Sequence, residues 1–207
     1  VLLDVGRPVL AAPSVTQDRD GRRWLLSGSG RLLASGDRSS SAGQVLFGVI
    51  DGLPTTPAPS FATLVDTGSA VVQPSGMVSG VTNTSTELSL LAATVNAGGW
   101  RHALATAAGT AAERSISGTA LVDGLLFATT YTPSISLCSG DGSSRLYGVD
   151  FRTGAPRARL PAFGLTRVIV NNAEVDAAVG VLDLGSGAGF PALVVSLMIG
   201  VSVPLVA

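Results

Sequence analysis

The chain has 207 residues, 46% hydrophobic and only 13% charged, which suits one sizeable core and excludes both disorder and several independent domains. Its 13 basic residues are all Arg and lie dispersed against 14 acids, for a net charge of −1. That balance lacks the basic stripe of a nucleic-acid binder, and the single Cys138 cannot form an internal disulfide.

In chain order, Pro8 to Gln17 and Arg22 to Ala34 read as β-runs joined by Asp18-Arg19-Asp20-Gly21, whose glycine supplies the positive φ of a hairpin. Ser35 to Gly43 is a Ser/Gly-rich surface loop carrying Asp37 and Arg38, and a strand follows from Gln44 to Ile50. Pro54, Pro57 and Pro59 stiffen Gly52 to Ser60 and mark a boundary between repeating units. Phe61 to Val72 and Glu87 to Val95 read as strands, the second partly helix-compatible through Leu88, Leu90 and Leu91. Helix propensity favours a short helix within Ala103 to Ala112. Bracketed by Gly98, Gly99 and Gly109, it has only about two to three turns and needs tertiary support.

From Ser115 the pattern is β again. Ile116 to Val122, a turn at Asp123-Gly124, Leu125 to Tyr131, a loop from Thr132 to Ser144 and Arg145 to Phe151 follow one another. The turn Asp150 to Gly154 then returns the chain as Pro156 to Leu160, with Thr153 and Gly154 expected at the surface. Phe190 to Ala207 carries no charge and reaches nominal membrane-spanning length. Gly200, Ser202 and Pro204 alternate there with Val201, Val203 and Leu205, which reads as strand, turn and edge, so no membrane span is expected.

One string occurs twice. Asp20-Gly21-Arg22-Arg23-Trp24-Leu25-Leu26-Ser27-Gly28 leads through a polar insert to Val45-Leu46-Phe47-Gly48-Val49-Ile50-Asp51. Asp123-Gly124-Leu125-Leu126-Phe127-Ala128-Thr129-Thr130 leads through another to Arg145-Leu146-Tyr147-Gly148-Val149-Asp150. A unit that cannot bury its own apolar face implies stacked neighbours, so the expected fold is all-β, a partial or modified β-propeller with loop insertions over residues 1–207 as one domain. At about 40 to 50 residues per blade the length allows four to five blades. Trp24 and Trp100 are expected as core or inter-blade anchors.

Leu146-Tyr147-Gly148-Val149-Asp150-Phe151-Arg152-Thr153-Gly154 resembles the LYxxDxxTG signature of quinoprotein-like propeller repeats. A longer set is similar to the PilY-type proteins of type IV pili: Ala11-Ala12-Pro13, Asp20 to Trp24, Gly28 to Leu32, Phe47 to Asp51, Gly99-Trp100, Glu113-Arg114, and Phe127 to Pro133 with Cys138 after it. The middle region, 60–97, matches this family poorly. The resemblance implies a non-enzymatic propeller in pilus biogenesis and surface adhesion, with minor pilins and a host or abiotic surface as partners. It also implies an extracellular place at the pilus tip, reached through the periplasm.

Chemistry-bearing constellations are few. Asp18 and Asp20, two apart, are the candidates for a calcium site, although hairpin turns use the same residues routinely. Asn171, Asn172, Glu174 and Asp176 stand where some family members carry an acidic loop, but Ile169 occupies its first position. Val181-Leu182-Asp183-Leu184-Gly185-Ser186-Gly187-Ala188-Gly189-Phe190-Pro191 resembles the first motif of S-adenosylmethionine-dependent methyltransferases. The residues after Pro191 are too few for the remaining parallel strands, so a strand and glycine turn is the better reading, and a methyltransferase or a quinone-dependent dehydrogenase remains the alternative. His102, the only histidine, reads as a half-buried structural residue, and no catalytic residue or cofactor is assigned.

Overall fold

Pro8 and Pro13 offer no N–H to a ladder, and the first strand begins only after the second of them. In this computed structural model, which describes residues 2–52, 59–106, 109–135 and 142–156 and the backbone of 167–170, 173–176 and 181–183, β1 is Ser14–Gln17 and β2 is Arg23–Gly28. They pair antiparallel from Gln17↔Arg23 to Ser14↔Leu26. Gly21 takes φ +81° in the intervening turn, and the Asp18 carboxylate accepts the N–H groups of Asp20 and Arg22. The hairpin is therefore where expected, with shorter strands.

β3, Val45–Asp51, pairs antiparallel with β2 from Arg23↔Asp51 to Gly28↔Leu46. Phe61 to Val72 is not one strand. A turn closes at Thr63 N–H to Ser60 O (3.0 Å), β4 covers Val65–Asp66, and a second turn at Ala70 N–H to Thr67 O (3.0 Å) precedes β5, Val71–Val72. β5 pairs with β6, Val78–Ser79, as a small hairpin.

Glu87 to Val95 is helical, within α1, Glu87–Asn96. Here the helix start decides over the apolar pattern. Thr86 Oγ1 accepts the Ser89 N–H, Ser89 Oγ accepts the Thr86 N–H, and Gly98 at φ +77° ends the helix. β7, Gly99–Ala103, then pairs antiparallel with β3 and parallel with β4, giving the order β1-β2-β3-β7-β4. No helix forms among the described residues of 103–112. Leu104 N–H goes to Gln44 O, Ala105 N–H to Glu113 Oε2 and Glu113 N–H to Ala105 O, so cross-chain partners take the groups a helix would use.

The second copy is built alike. β8 (Ala120–Val122), β9 (Leu125–Pro133) and β10 (Gly142–Asp150) form a meander, with Asp123 and Gly124 at φ +48° and +76° in the first turn. A separate hairpin joins β11, Arg167–Val170, to β12, Ala173–Asp176, and β13, Val181–Asp183, pairs antiparallel with β10. The sheet order is β13-β10-β9-β8. The expected return strand contributes only the bridge Pro156↔Val149, and 157–160 lie outside the described residues.

Thus β1-β2-β3-β7 and β8-β9-β10-β13 are two four-stranded antiparallel meanders, and each is interrupted before its fourth strand. The repeated string maps onto them strand for strand: the terminal Asp51 and Asp150 pair with Arg23 and Leu125, the first residues of β2 and β9. The architecture is mostly β with little helix. Among the described residues these two meanders do not close a ring.

A common core joins the sheets, with Trp24, Leu26, Leu46 and Trp100 from one and Leu126, Ala128, Tyr147 and Val149 from the other. Trp24 and Trp100 have no exposed surface, and burial of each ring is worth up to about 4 to 6 kcal/mol before its ordering entropy is subtracted. Trp100 lies between two glycines: a Cβ at Gly48 would come within 2.5 Å of its Nε1, and one at Gly154 within 2.2 Å of its Cε3. Its indole N–H donates to Phe151 O at 2.8 Å. The Asp150 to Gly154 turn is therefore a seat for the other sheet's tryptophan, and Thr153 and Gly154 are buried where sequence reasoning put them at the surface.

Candidate interaction rim

Both polar inserts leave the same end of the two sheets, after β2 and after β9. They meet there, since Arg38 Nε donates to Ser134 O at 3.0 Å. The shared rim expected from the repeat is therefore present, although residues 136–141 of the second insert, Cys138 among them, lie outside the described set.

The first insert lies at the surface as expected, with Ser35, Gly36, Ser39, Ser41 and Ala42 exposed, but its turn is fixed. Ser35–Ser39 forms a 3-10 turn, and Asp37 is 6% exposed. Arg31 Nε donates to Asp37 Oδ1 at 2.8 Å, and the Leu33 and Ala34 N–H groups donate to Oδ2 at 3.0 Å each. Those bonds, the Arg31 one foremost, hold the Asp37 carboxyl down at about 2. Ser and Gly content shows that a backbone can bend freely, and it says nothing of the carboxylate that makes it bend one way.

Behind the turn stands Arg114, 3% exposed, whose guanidinium donates to the carbonyls of Arg31 (3.1 Å), Asp37, Ser40 (3.0 Å) and Ala112 (3.0 Å). Burial lowers its pKa, offset partly by Asp37. Its backbone exchanges two hydrogen bonds with Tyr131 of β9. One residue thus fastens the first insert to the second sheet.

Its neighbour Glu113, 1% exposed, points into the seam between the sheets. The carboxylate accepts from Thr130 Oγ1, from Tyr147 OH at 3.0 Å to both oxygens, from Arg145 Nη1 at 3.1 Å and from the Ala105 N–H. Burial, then the Glu113 charge, pushes the Tyr147 phenol well up and keeps it a donor. These partners satisfy the buried charge fully, which suits a structural hub better than a reacting acid. Sequence reasoning passed over the pair except as a family match. The signal was there in two opposite charges set in the small apolar run Ala111-Ala112-Glu113-Arg114-Ser115.

His102, on β7, is half-buried as expected, with its ring edge-on to Tyr147 at 5.4 Å and its Nδ1 buried without a hydrogen-bond partner. Burial lowers its pKa against the opposing pull of Asp66 and Glu113. Asp18 and Asp20 lie at the opposite end of the sheet, where Arg22 Nη1 bonds both carboxylates and Trp24 Nε1 donates to Asp18 at 3.1 Å. Burial alone would raise the Asp18 pKa, but the bonds from Trp24 and Arg22 outweigh it and lower it. The cation these two acids converge on here is the chain's own guanidinium. Among the described residues no three His, Cys, Asp or Glu side chains gather as a metal site.

The strand of the Gly-rich string is β13, an antiparallel edge beside β10, whereas a nucleotide-binding motif of that type opens a parallel sheet. Gly185, Gly187 and Gly189 lie outside the described residues, as do Asn171 and Asn172; Glu174 falls on β12. Among the described residues no helix is long and apolar enough to cross a membrane.

Comparison with known proteins finds no matching family model and no matching curated protein. Among solved structures, the crystal structure of the Pseudomonas aeruginosa PilY1 C-terminal domain is similar at a TM-score of 0.52 and 20% identity, over 87% of this chain and 40% of that one. This chain shares the fold of the part of that domain it covers. The likeness expected from the scattered motifs is met as a likeness of fold, and the chain spans well under half the length of the neighbour.

Proposed function

We propose that this chain is a loop-bearing propeller segment of a pilus-associated surface protein, with the two meanders as adjacent blades and binding as its mode of action. The observation that carries this reading is the Arg38 to Ser134 bond between two inserts that occupy equivalent places in the repeat and share one rim. The fold shared with the PilY1 C-terminal domain supports the pilus context. Minor pilins and a host or abiotic surface are the partners that context supplies, and type IV pilus biogenesis and adhesion are the roles.

Arg114 holds the first insert rigidly, so the rim offers a fixed shape, and a rigid surface loses less entropy on binding. The reading needs no reaction: the buried acid and phenol of the seam bond each other and their neighbours.

The test is made on exposed rim positions that leave Arg114 and Asp37 in place. Gly36→Trp enters open space, and Ile135→Asp changes a side chain that is 52% exposed. In cells carrying the parent protein, each should reduce surface pili or attachment while the purified variant melts as the wild type does. Wild-type piliation and attachment from both would place function on another face.

A further inference from the structure

We propose that a small polar pocket at the β4 edge of the first sheet binds a neutral saccharide through adjacent ring hydroxyls. The pocket, about 400 Å³, lies between the β4 to β5 turn, the turn after β6 and the end of β7, with walls of Asp66, Gly68, Ser69, Gly80, Thr82 and Ala103. Its volume falls in the range of small-ligand sites, about 300 to 1,000 Å³. The edge is open there because β4 leaves β7 after two residues. Thr67 N–H still reaches Arg101 O at 2.9 Å, but Thr67 O turns back to accept the Ala70 N–H. Across the sheet Val45, the register partner of Ala103, gives its N–H to Ser29 Oγ and its carbonyl to the Ser29 N–H. The N–H and C=O of Ala103 therefore have no protein partner among the described residues, and they lie 3.5 and 3.9 Å from where a Cβ on Gly68 would stand.

Two glycines shape the pocket in different ways. Gly80, at φ +81°, brings its turn against Ser69 O, where a Cβ would come within 1.8 Å, so that wall is fixed by backbone. Gly68 has no positive φ to require glycine, and a side chain there would stand over the Asp66 carboxylate and the Ala103 peptide groups. Its absence leaves them reachable. The carboxylate is held in place, since Gly68 N–H donates to Asp66 Oδ1 at 3.1 Å and Arg101 Nε stands 3.5 Å from Oδ2, yet it is 51% exposed. One acid already opposed by an arginine suits no metal cation, and its charge repels an anion. What remains open is a mixed set: the carboxylate and Ala103 O accept, Ala103 N–H donates, and the Ser69 and Thr82 hydroxyls do either. Neighbouring hydroxyls of a sugar ring likewise donate and accept, whereas an apolar ligand would strip water from these groups and pair none of them.

Amide NMR titration of the 207-residue chain with the methyl glycosides of glucose, galactose and mannose tests this independently of any pilus. At least one should shift the Ser69, Gly80 and Ala103 amide signals saturably, with a Kd of about 1 to 10 mM, as a few exposed hydrogen bonds allow. Asp66→Ala removes the charged acceptor and should weaken binding about tenfold. Gly68→Leu keeps every polar group and fills the space before them, so it should abolish the shifts while the melting temperature holds. Thr82→Val, on an exposed turn, serves in place of either variant that unfolds. No saturable shift with any of the three glycosides up to ~100 mM, far beyond that affinity, overturns the proposal. So do shifts that survive both Asp66→Ala and Gly68→Leu, which would put the sugar elsewhere.

Discussion

Gly154 meets two independent demands, a φ of +66° and an indole ring within van der Waals distance of its missing Cβ. Backbone strain and overpacking each cost about 1 to 3 kcal/mol, so Gly154→Val should destabilise by about 3 kcal/mol or more in urea denaturation. A loss under 1 kcal/mol would mean that Trp100 has another resting place. His102 sets a pH dependence whose direction follows from its lowered pKa. The unfolded chain takes up the proton near 6.5 and the folded chain only at lower pH, so its contribution is complete above 6.5 and declines as pH falls below it. Asp37, held at about 2 against an ordinary 3.8, adds a second loss as pH drops from about 4 towards 2. Denaturation midpoints measured from pH 8 to pH 3 should fall less steeply just below pH 6.5 in His102→Gln; an unaltered slope there would assign the loss to other groups.

At the level of elements, the first insert depends on one side chain anchored elsewhere. Arg114→Ala leaves the carbonyls of Arg31, Asp37 and Ser40 without their shared donor, at an expected cost of about 3 kcal/mol. Limited proteolysis should then cut within Ser35 to Gly43 while the wild type resists. Equal resistance would show that Arg31 and Asp37 suffice to hold the turn. Local signals made the hairpins legible, because Asp18 to Gly21 and Asp123-Gly124 hold their own turn geometry. α1 was misread because its apolar run Leu88, Leu90, Leu91 suits either period, and the deciding Thr86–Ser89 exchange involves two side chains seldom weighed in such a run. The rim was half legible: its position followed from the repeat, but its rigidity depends on Arg114, distant in sequence and visible only as a charge among alanines.

For the molecule as a whole, the antiparallel place of β13 bears on the methyltransferase alternative. A motif of that kind works by aiming a helix N-terminus at a cofactor from the end of a parallel strand. Titration calorimetry with S-adenosylmethionine should accordingly give no saturable heat, and micromolar binding lost in Asp183→Ala would restore the enzyme reading. Each meander also waits for its last strand, and Gly99 of β7 reaches Val49 of β3 only across the long 50–98 insert. Closing such a segment costs entropy before any contact is gained, so β7 should arrive late in folding, after the local hairpins of β1, β2 and β3. Trp24 rides on the early part and Trp100 on the late one. In stopped-flow refolding, the fluorescence of a Trp100→Phe variant should therefore change in an earlier phase than that of a Trp24→Phe variant, so that the chain's two indoles serve as separate clocks for the two stages of its assembly.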